Sequence, residues 1–494
     1  MSLSIDLEKE IEDNVYKAMQ VWNIPGLALV IVKDDKVLLS KGYGVREIGK
    51  SDKVDENTIF AIGSNTKAFT ATAMGMLVQD GKIAWDDHVT KYIPYFKLYD
   101  ANATQMITIR DLLCNRSGLG TWAGDLLLSS NYSTEELVRR IRHIPPDFDF
   151  RAGFGYSNLM FITAGLIISI VSGMSWDDFI QQRIFEPLGM TNSLTSPRYF
   201  GERTNIAAPH LDVNGNLQAM THPEDFQAGA SGSICASPAD IAKWMRLQLN
   251  RGSMDGKQIV SPAVIAETHT PHTPMKLRAM QKKLIPSRHF SAYGLGWMLS
   301  DTHGRLTVHH NGDVYGMLSN IVLIPEEKLG IAVFTNKLPN AAYFALSHYL
   351  REKLTGVTPQ DWIQIYINLE KEMKEKEEQA KNQKADSHTK DTRPALALER
   401  YAGNYNSLIL GGATVSVPEG GSGLHIQLQA NESISGTLEH WHYDAFLCKW
   451  DNPVFGESLI PFITDGQGQV TEFRVKIRED WIDPLEHVFR KQTL

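Results

Sequence analysis

The sequence predicts an α/β (α+β) chain in which helices flank antiparallel strands, followed by a small all-β barrel. Three observations carry this. First, strand-like runs at 27–32 and 37–43 are joined by Lys33-Asp34-Asp35-Lys36, a hairpin by length and turn chemistry, and runs at 306–310, 317–324 and 329–335 are separated by tight turns, as in an antiparallel meander. Second, the uncharged segments 68–79 and 159–172 carry apolar or small side chains on every side, the pattern of helices buried all round rather than amphipathic. Third, beyond Pro394 short runs with period-two alternation, such as 424–428 and 473–477, recur between Gly- or Asn-rich turns. About eight such runs in roughly 100 residues make a small antiparallel barrel.

Taken in order, residues 7–21 have apolar positions at helical spacing, and Pro25-Gly26 ends that helix. Residues 58–62 lead into the central helix, which Gly81-Lys82 terminates. A short helix over 109–114 follows Thr108, and Ser133 caps another over 133–143 that Pro145-Pro146 stops. Helices over 159–172 and 176–184 come next, the second stopped near Pro187. Residues 196–228, rich in Gly, Pro and Asn, read as a long active-site rim, and 230–234 as a small-residue strand. Ser237-Pro238 starts a helix to 249, and 341–354 form a closing helix. From 369 to 393 Lys, Glu, Gln and Asp dominate, a solvated helix or flexible linker and hence a boundary. We therefore divide the chain into a unit over 5–356, a charged linker over 357–394 and a barrel over 395–494.

Bulk properties narrow the function. A formal net charge of −8 over 494 residues offers no electrostatic footprint for nucleic acid or an anionic membrane. The longest apolar run, 159–171, is too short for a membrane span and reads as a core helix. Asp6 to Asp13 is too charged for a signal segment, so the chain as written reads as cytoplasmic; a trimmed leader before Met1-Ser2-Leu3 would make it periplasmic or secreted, and the compartment stays open. Cys114, Cys235 and Cys448 are odd in number and widely spaced, which suits buried free thiols. No metal-ligand spacing is found and no cofactor is expected.

Ser64 opens the central helix, where unpaired backbone N–H groups favour developing negative charge. Lys67 lies one turn on, on the same face. In an all-round apolar helix that lysine is desolvated, with a lowered pKa, and can take the proton of a serine nucleophile. Tyr156, on the glycine-rich turn before the 159–172 helix, is a second base if an adjacent ammonium lowers its pKa, and Asn158 is placed to bond Lys67 and a substrate amide. His310-Asn311-Gly312-Asp313 ends a strand. Glycine there allows close backbone pairing, the Asp313 N–H is a candidate oxyanion donor with that of Ser64, and His310 is expected to face the cleft. His309 alternates to the other face. Read singly, each signal is weak, and ordinary caps and core residues produce the same patterns.

Together, Ser64-Asn65-Thr66-Lys67, Tyr156-Ser157-Asn158 and His310-Asn311-Gly312 resemble the three active-site motifs of serine β-lactamases and penicillin-binding proteins, in the class C-like branch that includes D-stereospecific peptidases and carboxylesterases. Residues 109–113, 187–190 and 293–297 support the resemblance, which covers about 11–354. Beyond the linker, Glu399 to Tyr405 resembles the start of lipocalin-like barrels appended to some members. The resemblance implies a β-lactamase-like domain with an antiparallel sheet flanked by helices, acylation of Ser64, and hydrolysis by water. Lys67 and Tyr156 would be catalytic, with the choice of base open; Asn158, His310, Gly312 and Asp313 would bind substrate. Expected substrates are D-amino-acid peptides, β-lactams or esters. A carboxylesterase of the same fold is the alternative, and a non-catalytic ligand-binding or scaffold protein a second. The third motif departs from the pattern: His310 replaces the usual Lys and Asn311 the hydroxyl residue, so a substrate carboxylate has no fixed positive charge to meet. That suits uncharged esters, amides or backbone-paired peptides. The barrel carries no catalytic constellation; Trp441, Trp450 and Trp481 pack its core or line an interface, and a homo-oligomer is left open.

Overall fold

The computed structural model describes residues 3–492 apart from 214, 223–227, 315, 387, 421–422 and 479–481; Trp481 and part of the expected rim lie outside the described residues. The chain opens with helix α1 (Ile5–Trp22), whose Ser4 hydroxyl accepts from the Leu7 amide and whose Ile11, Val15, Ala18 and Trp22 form a buried stripe. Strands β1 (Gly26–Lys33) and β2 (Lys36–Gly44) make the expected hairpin. Helix α2 (Thr66–Gln79) is buried from Thr66 to Leu77, as its apolar circumference requires.

Short helices α3 (Ile109–Leu113) and α4 (Thr134–Arg140) begin at Thr108 and Ser133 caps, and α5 (Asn158–Ser172) begins at a Ser157 cap. Helix α6 (Trp176–Ile180) continues as one π-turn over Gln181–Phe185, so the single helix expected there is interrupted. Helix α7 (Pro238–Leu249) follows its Ser237 cap. Residues 230–234 do not form the expected strand. Gly229–Ser231 is a 3₁₀ turn, and only Cys235–Ala236 pair, between Phe60–Ala61 and Ser193–Leu194.

Strands β3 (Thr273–Met275), β4 (Ser291–Tyr293), β5 (Met298–Thr302), β6 (Arg305–Val314), β7 (Met317–Ile324) and β8 (Leu329–Thr335) complete an eight-stranded antiparallel sheet of order β3-β4-β5-β6-β7-β8-β1-β2. Both faces of its centre are covered, and β1 displays this by alternation. Ala28, Val30 and Val32 join the core around α2 and α5, whereas Leu27, Leu29 and Ile31 join a second core with α1 and α8 (Ala342–Leu354).

The charged stretch lies in a long helix, α9 (Trp362–Asp386), whose Trp362, Ile363 and Tyr366 are buried in the second core before exposed residues take over. Then come β9 (Gly403–Ser407), β10 (Gly411–Ser416), β11 (Leu424–Leu428), β12 (Ser435–His442), β13 (Ala445–Trp450), β14 (Glu457–Thr464), β15 (Val470–Val475) and β16 (His487–Lys491). They close into a barrel through the pairing of β9 with β16. Tyr405, Phe446, Phe462, Phe473 and Phe489 pack its interior, and Trp450 is buried while Trp441 stacks on His388. The barrel seats on the segment before and within α4: the Asn131 amide donates to the Ala430 carbonyl (2.8 Å), the Tyr132 hydroxyl to that of Leu410 (3.2 Å) and Arg140 to that of Ile409 (2.9 Å).

Among the described residues no single helix is long and apolar enough to cross a membrane; one bent pair, α5 with the helix after it, passes on length and composition only, and α5 is largely buried.

Candidate active site

Ser64 stands in a 3₁₀ turn, Gly63–Asn65, that runs directly into α2. Two glycines make this turn and β6 meet. Gly63 has φ of +53°, and a Cβ there would lie 2.8 Å from the Asp313 amide nitrogen; a Cβ on Gly312 would lie 1.9 Å from the Ile62 carbonyl oxygen. The closeness read from Gly312 in the sequence thus serves contact with the serine turn. Asn65 tightens it by donating to Ser319 Oγ (2.8 Å), which in turn donates to the Ile62 carbonyl (2.9 Å). β6 outruns its neighbour on one side. β5 pairs with it only as far as His309, while β7 pairs through Val314, so the β5-side edge beyond His309 has no strand partner among the described residues.

Lys67 is fully buried, and its ammonium lies 3.0 Å from Ser64 Oγ, 2.5 Å from Asn158 Oδ1 and 2.7 Å from the Ser231 carbonyl oxygen. The 3₁₀ turn in place of a strand is what presents that carbonyl; it is pinned to α2 by Thr70, whose hydroxyl donates to the Ala230 carbonyl (2.7 Å). Burial pushes the lysine well below its ordinary range, and the neighbouring Asp125 opposes the shift. Two of the three partners, the carbonyl and the amide oxygen, can only accept. A neutral Lys67 therefore spends its two N–H bonds on them and turns its lone pair toward the Ser64 hydroxyl.

Tyr156 places its hydroxyl within bonding reach of Ser64, and Lys67 Nζ sits over its ring, 4.7 Å from the centroid. The condition attached to Tyr156 as a base, a phenol lowered by a neighbouring ammonium, is not met. Burial drives Tyr156 upward, with the Ser64 contact only partly offsetting it, so the phenol stays protonated. His310 is buried on the same side. Its Nδ1 lies 2.7 Å from the Asn311 carbonyl oxygen and must carry hydrogen, so Nε2 accepts from the Tyr293 hydroxyl at 3.0 Å. Burial, with Lys67 nearby, lowers His310 to about 3, and the ring is neutral. Asp313 is exposed at the end of β6, its backbone against the serine turn.

The sequence reading missed Asp125. It lies buried in the 3₁₀ turn Asp125–Ser129 and accepts from Asn158 Nδ2 at 2.6 Å. Asn158 thus links Asp125 to Lys67. Burial and the charge of Asp483 push the Asp125 carboxyl up, against the pull of Asn158 and Lys67. No motif marks this residue, because the turn carries no periodicity.

A half-buried serine in the turn that opens a central helix, a buried lysine one turn on, a tyrosine on the opposing turn and the edge of β6 past His309 lie together here, an arrangement suited to serine-hydrolase chemistry of the β-lactamase type. The chain belongs to the β-lactamase family of serine hydrolases: residues 11–355 match the family model described as Beta-lactamase. Residues 387–489 match a domain of unknown function, DUF3471, over the barrel. Relatives include the unguisins hydrolase ungD′ of Aspergillus campestris, 30% identical over 432 residues (81% of this chain, 76% of the relative). Unguisins hydrolase ungD of Aspergillus violaceofuscus is 28% identical over 491 residues (90% of this chain, 83% of the relative). Among solved structures, the octameric penicillin-binding protein homologue from Pyrococcus abyssi superposes with a TM-score of 0.64 at 23% identity, covering 97% of this chain and 99% of that one, a likeness of fold.

Proposed function

We propose that this protein hydrolyses amide or ester bonds through an acyl-enzyme on Ser64. The carrying observation is the Lys67 cluster: a desolvated amine with two fixed acceptors and Ser64 Oγ in its third direction at 3.0 Å. In acylation the Ser64 oxygen bonds to the substrate carbonyl carbon, and its proton passes to Lys67. The lowered lysine and the raised tyrosine favour Lys67 as that base, with Tyr156 as the O–H donor that relays the proton to the leaving group. The backbone N–H groups of Ser64 and Asp313 would hold the oxyanion. Water then cleaves the acyl ester by the same route reversed. Asn158 retains one N–H beyond its bond to Asp125 and can donate it to a substrate carbonyl.

The substrate reading rests on His310. A neutral ring with both nitrogens engaged offers no cation to a substrate carboxylate. Peptides held by pairing along the edge of β6 just past His309, D-amino-acid peptides included, and uncharged amides fit best; penicillins, which bear a carboxylate, fit less well. The relatives named as unguisins hydrolases support a hydrolase reading. A carboxylesterase is the second reading, favoured by the same neutrality. The division into a hydrolase unit over 5–356, a connection over 357–394 and a barrel over 395–494 belongs to this proposal, and the octameric homologue makes self-assembly part of it.

Intact-protein mass after mixing with a p-nitrophenyl ester, a D-alanyl peptide amide or a penicillin tests the reading. An acyl adduct is expected with the ester or amide and little with the penicillin, and Ser64→Ala should remove both adduct and turnover. Hydrolysis that survives Ser64→Ala would overturn the nucleophile.

A further inference from the structure

Asp483 belongs to the segment that enters the last barrel strand, yet it is completely buried and its carboxylate faces the hydrolase site. Its Oδ1 accepts from the amides of Gly124 (3.1 Å) and Leu485 (3.1 Å), and its Oδ2 from the amide of Leu126 (3.3 Å) and from His487 Nε2 (3.2 Å). The two hydrolase-side donors are the residues on either side of Asp125. His487, on β16, is likewise fully buried, so the donor that fixes Asp483 comes from the barrel wall itself. A carboxylate with four donors in so buried a joint locks an irregular turn, because any donor left unmatched there carries the cost of its lost hydration.

We propose that the barrel supplies Asp483 as a positioning residue for the hydrolase site: held by His487, it fixes the Gly124–Leu126 backbone so that Asp125 seats Asn158, and Asn158 seats Lys67. The chain of contacts is continuous, from Asp483 to the amides flanking Asp125, from Asp125 Oδ2 to Asn158 Nδ2 at 2.6 Å, and from Asn158 Oδ1 to Lys67 Nζ at 2.5 Å. The barrel is then a working part of the site. This rests on the reading of Lys67 as the base.

Electrostatics act along the same line. Asp483 is a negative charge behind Asp125 and favours its protonated form, while an ionised Asp125 would favour the ammonium form of Lys67. The other groups in this chain are Tyr156 and His310 beside Lys67, and His487 beside Asp483; the Asp483 amide donates to the carbonyl of Arg478. Removing the Asp483 charge frees Asp125 to ionise and so raises Lys67. Asp483 touches Lys67 only through Asp125, so this effect should vanish when Asp125 is neutral.

The test uses the full chain carrying Asp483→Asn, alone and with Asp125→Asn. The readouts are the pH profile of kcat for a p-nitrophenyl ester, the thermal midpoint, and the titration of Lys67 in protein labelled with ¹³C at lysine Cε, with the Lys67 resonance identified by its loss in Lys67→Arg. For Asp483→Asn we expect kcat lower by roughly tenfold, in keeping with small misplacements of catalytic groups, an ascending limb moved to higher pH, and a Lys67 titration moved the same way. In the Asp125→Asn background, Asp483→Asn should move neither limb nor titration. An unchanged limb and titration would overturn the proposal, whether or not the melting point falls, since a purely structural joint would lower stability alone. A titration that moves equally in both backgrounds would overturn it too. If wild-type protein neither turns over the ester nor forms a Ser64 adduct, the functional reading fails instead, and the Lys67 titration still decides whether Asp483 acts on the site.

Discussion

Asp111 and Asp125 are both buried carboxylates on short helical turns beside the same core, and the molecule treats them in opposite ways. Asp111 sits in the first turn of α3, closes a capping box with Thr108 and takes Arg116 and Arg151. Burial alone would raise its carboxyl, but Arg151, the Thr108 amide and Arg116 outweigh that and hold it below the ordinary range. Asp125 is bonded by Asn158, has no cation bonded to it among the described residues and a second carboxylate behind it, and it is raised. Burial is common to both, so the number and charge of the donors decide the protonation state. A carboxylate with surplus donors is a fixed charge that holds structure. One with too few shares its proton equilibrium with a neighbour, and here the neighbour is Lys67.

The contrast breaks first at Lys67 itself. Lys67→Ala should lower kcat/KM for an ester substrate by about 10³-fold, in the range for loss of a general base, while the melting point falls only modestly, because release from burying the amine offsets part of the packing and the hydrogen bonds lost. Turnover that survives would detach Asp125 from any catalytic equilibrium. Asp111→Ala should do the reverse. Loss of a buried carboxylate with two guanidiniums costs about 3 kcal/mol, the low end for a broken buried pair, since both arginines keep contact with solvent. Activity per folded molecule should change little. The sign with pH follows: a depressed carboxyl contributes stability above its unfolded value of about 3.9, and that contribution disappears as pH falls through the folded value. Wild type should therefore lose more stability than Asp111→Ala on acidification, as followed by urea titration at several pH values.

The sequence made some of this legible and hid the rest for reasons the contacts explain. Ser64 and Lys67 are three apart on one helix, so their meeting is local and readable. The Thr108–Asp111 cap is equally local. The β hairpin, the meander and the alternating barrel strands were readable from period and turn chemistry. The Gly229–Ser231 turn was not, since a run of small residues suits a strand or a turn alike; what decides is the requirement of Lys67 for the Ser231 carbonyl, a tertiary contact. Asp125 meets Asn158 only after α5 packs behind the 3₁₀ turn, and Asp483 meets Gly124 only after the barrel docks. For Tyr156 the sequence leaves the charge conditional on a neighbouring ammonium, and the condition fails for a tertiary reason: the burial that lowers the lysine also raises the tyrosine.

The smallest expected effect sharpens the comparison most. Asn at 125 keeps the shape of the side chain and removes its ability to ionise. The folded protein holds the Asp125 proton to a higher pH than the unfolded chain does, so Asp125 contributes stability fully below about pH 3.9, and that contribution declines as pH rises through the raised folded value. Between mildly acidic and neutral pH the wild type should thus lose stability relative to Asp125→Asn, a slope opposite to that of Asp111. At neutral pH the variant should be equal or more stable, by up to about 1 kcal/mol. Asp125 in its ionised form favours the Lys67 ammonium, so the same substitution should move the ascending limb of kcat toward acid. Paired urea titrations and ester pH profiles measure both effects. A variant that loses several kcal/mol at neutral pH, or whose limb moves toward base, would mean that Asp125 is a structural anion of the Asp111 kind, and the distinction between the two turns would not stand.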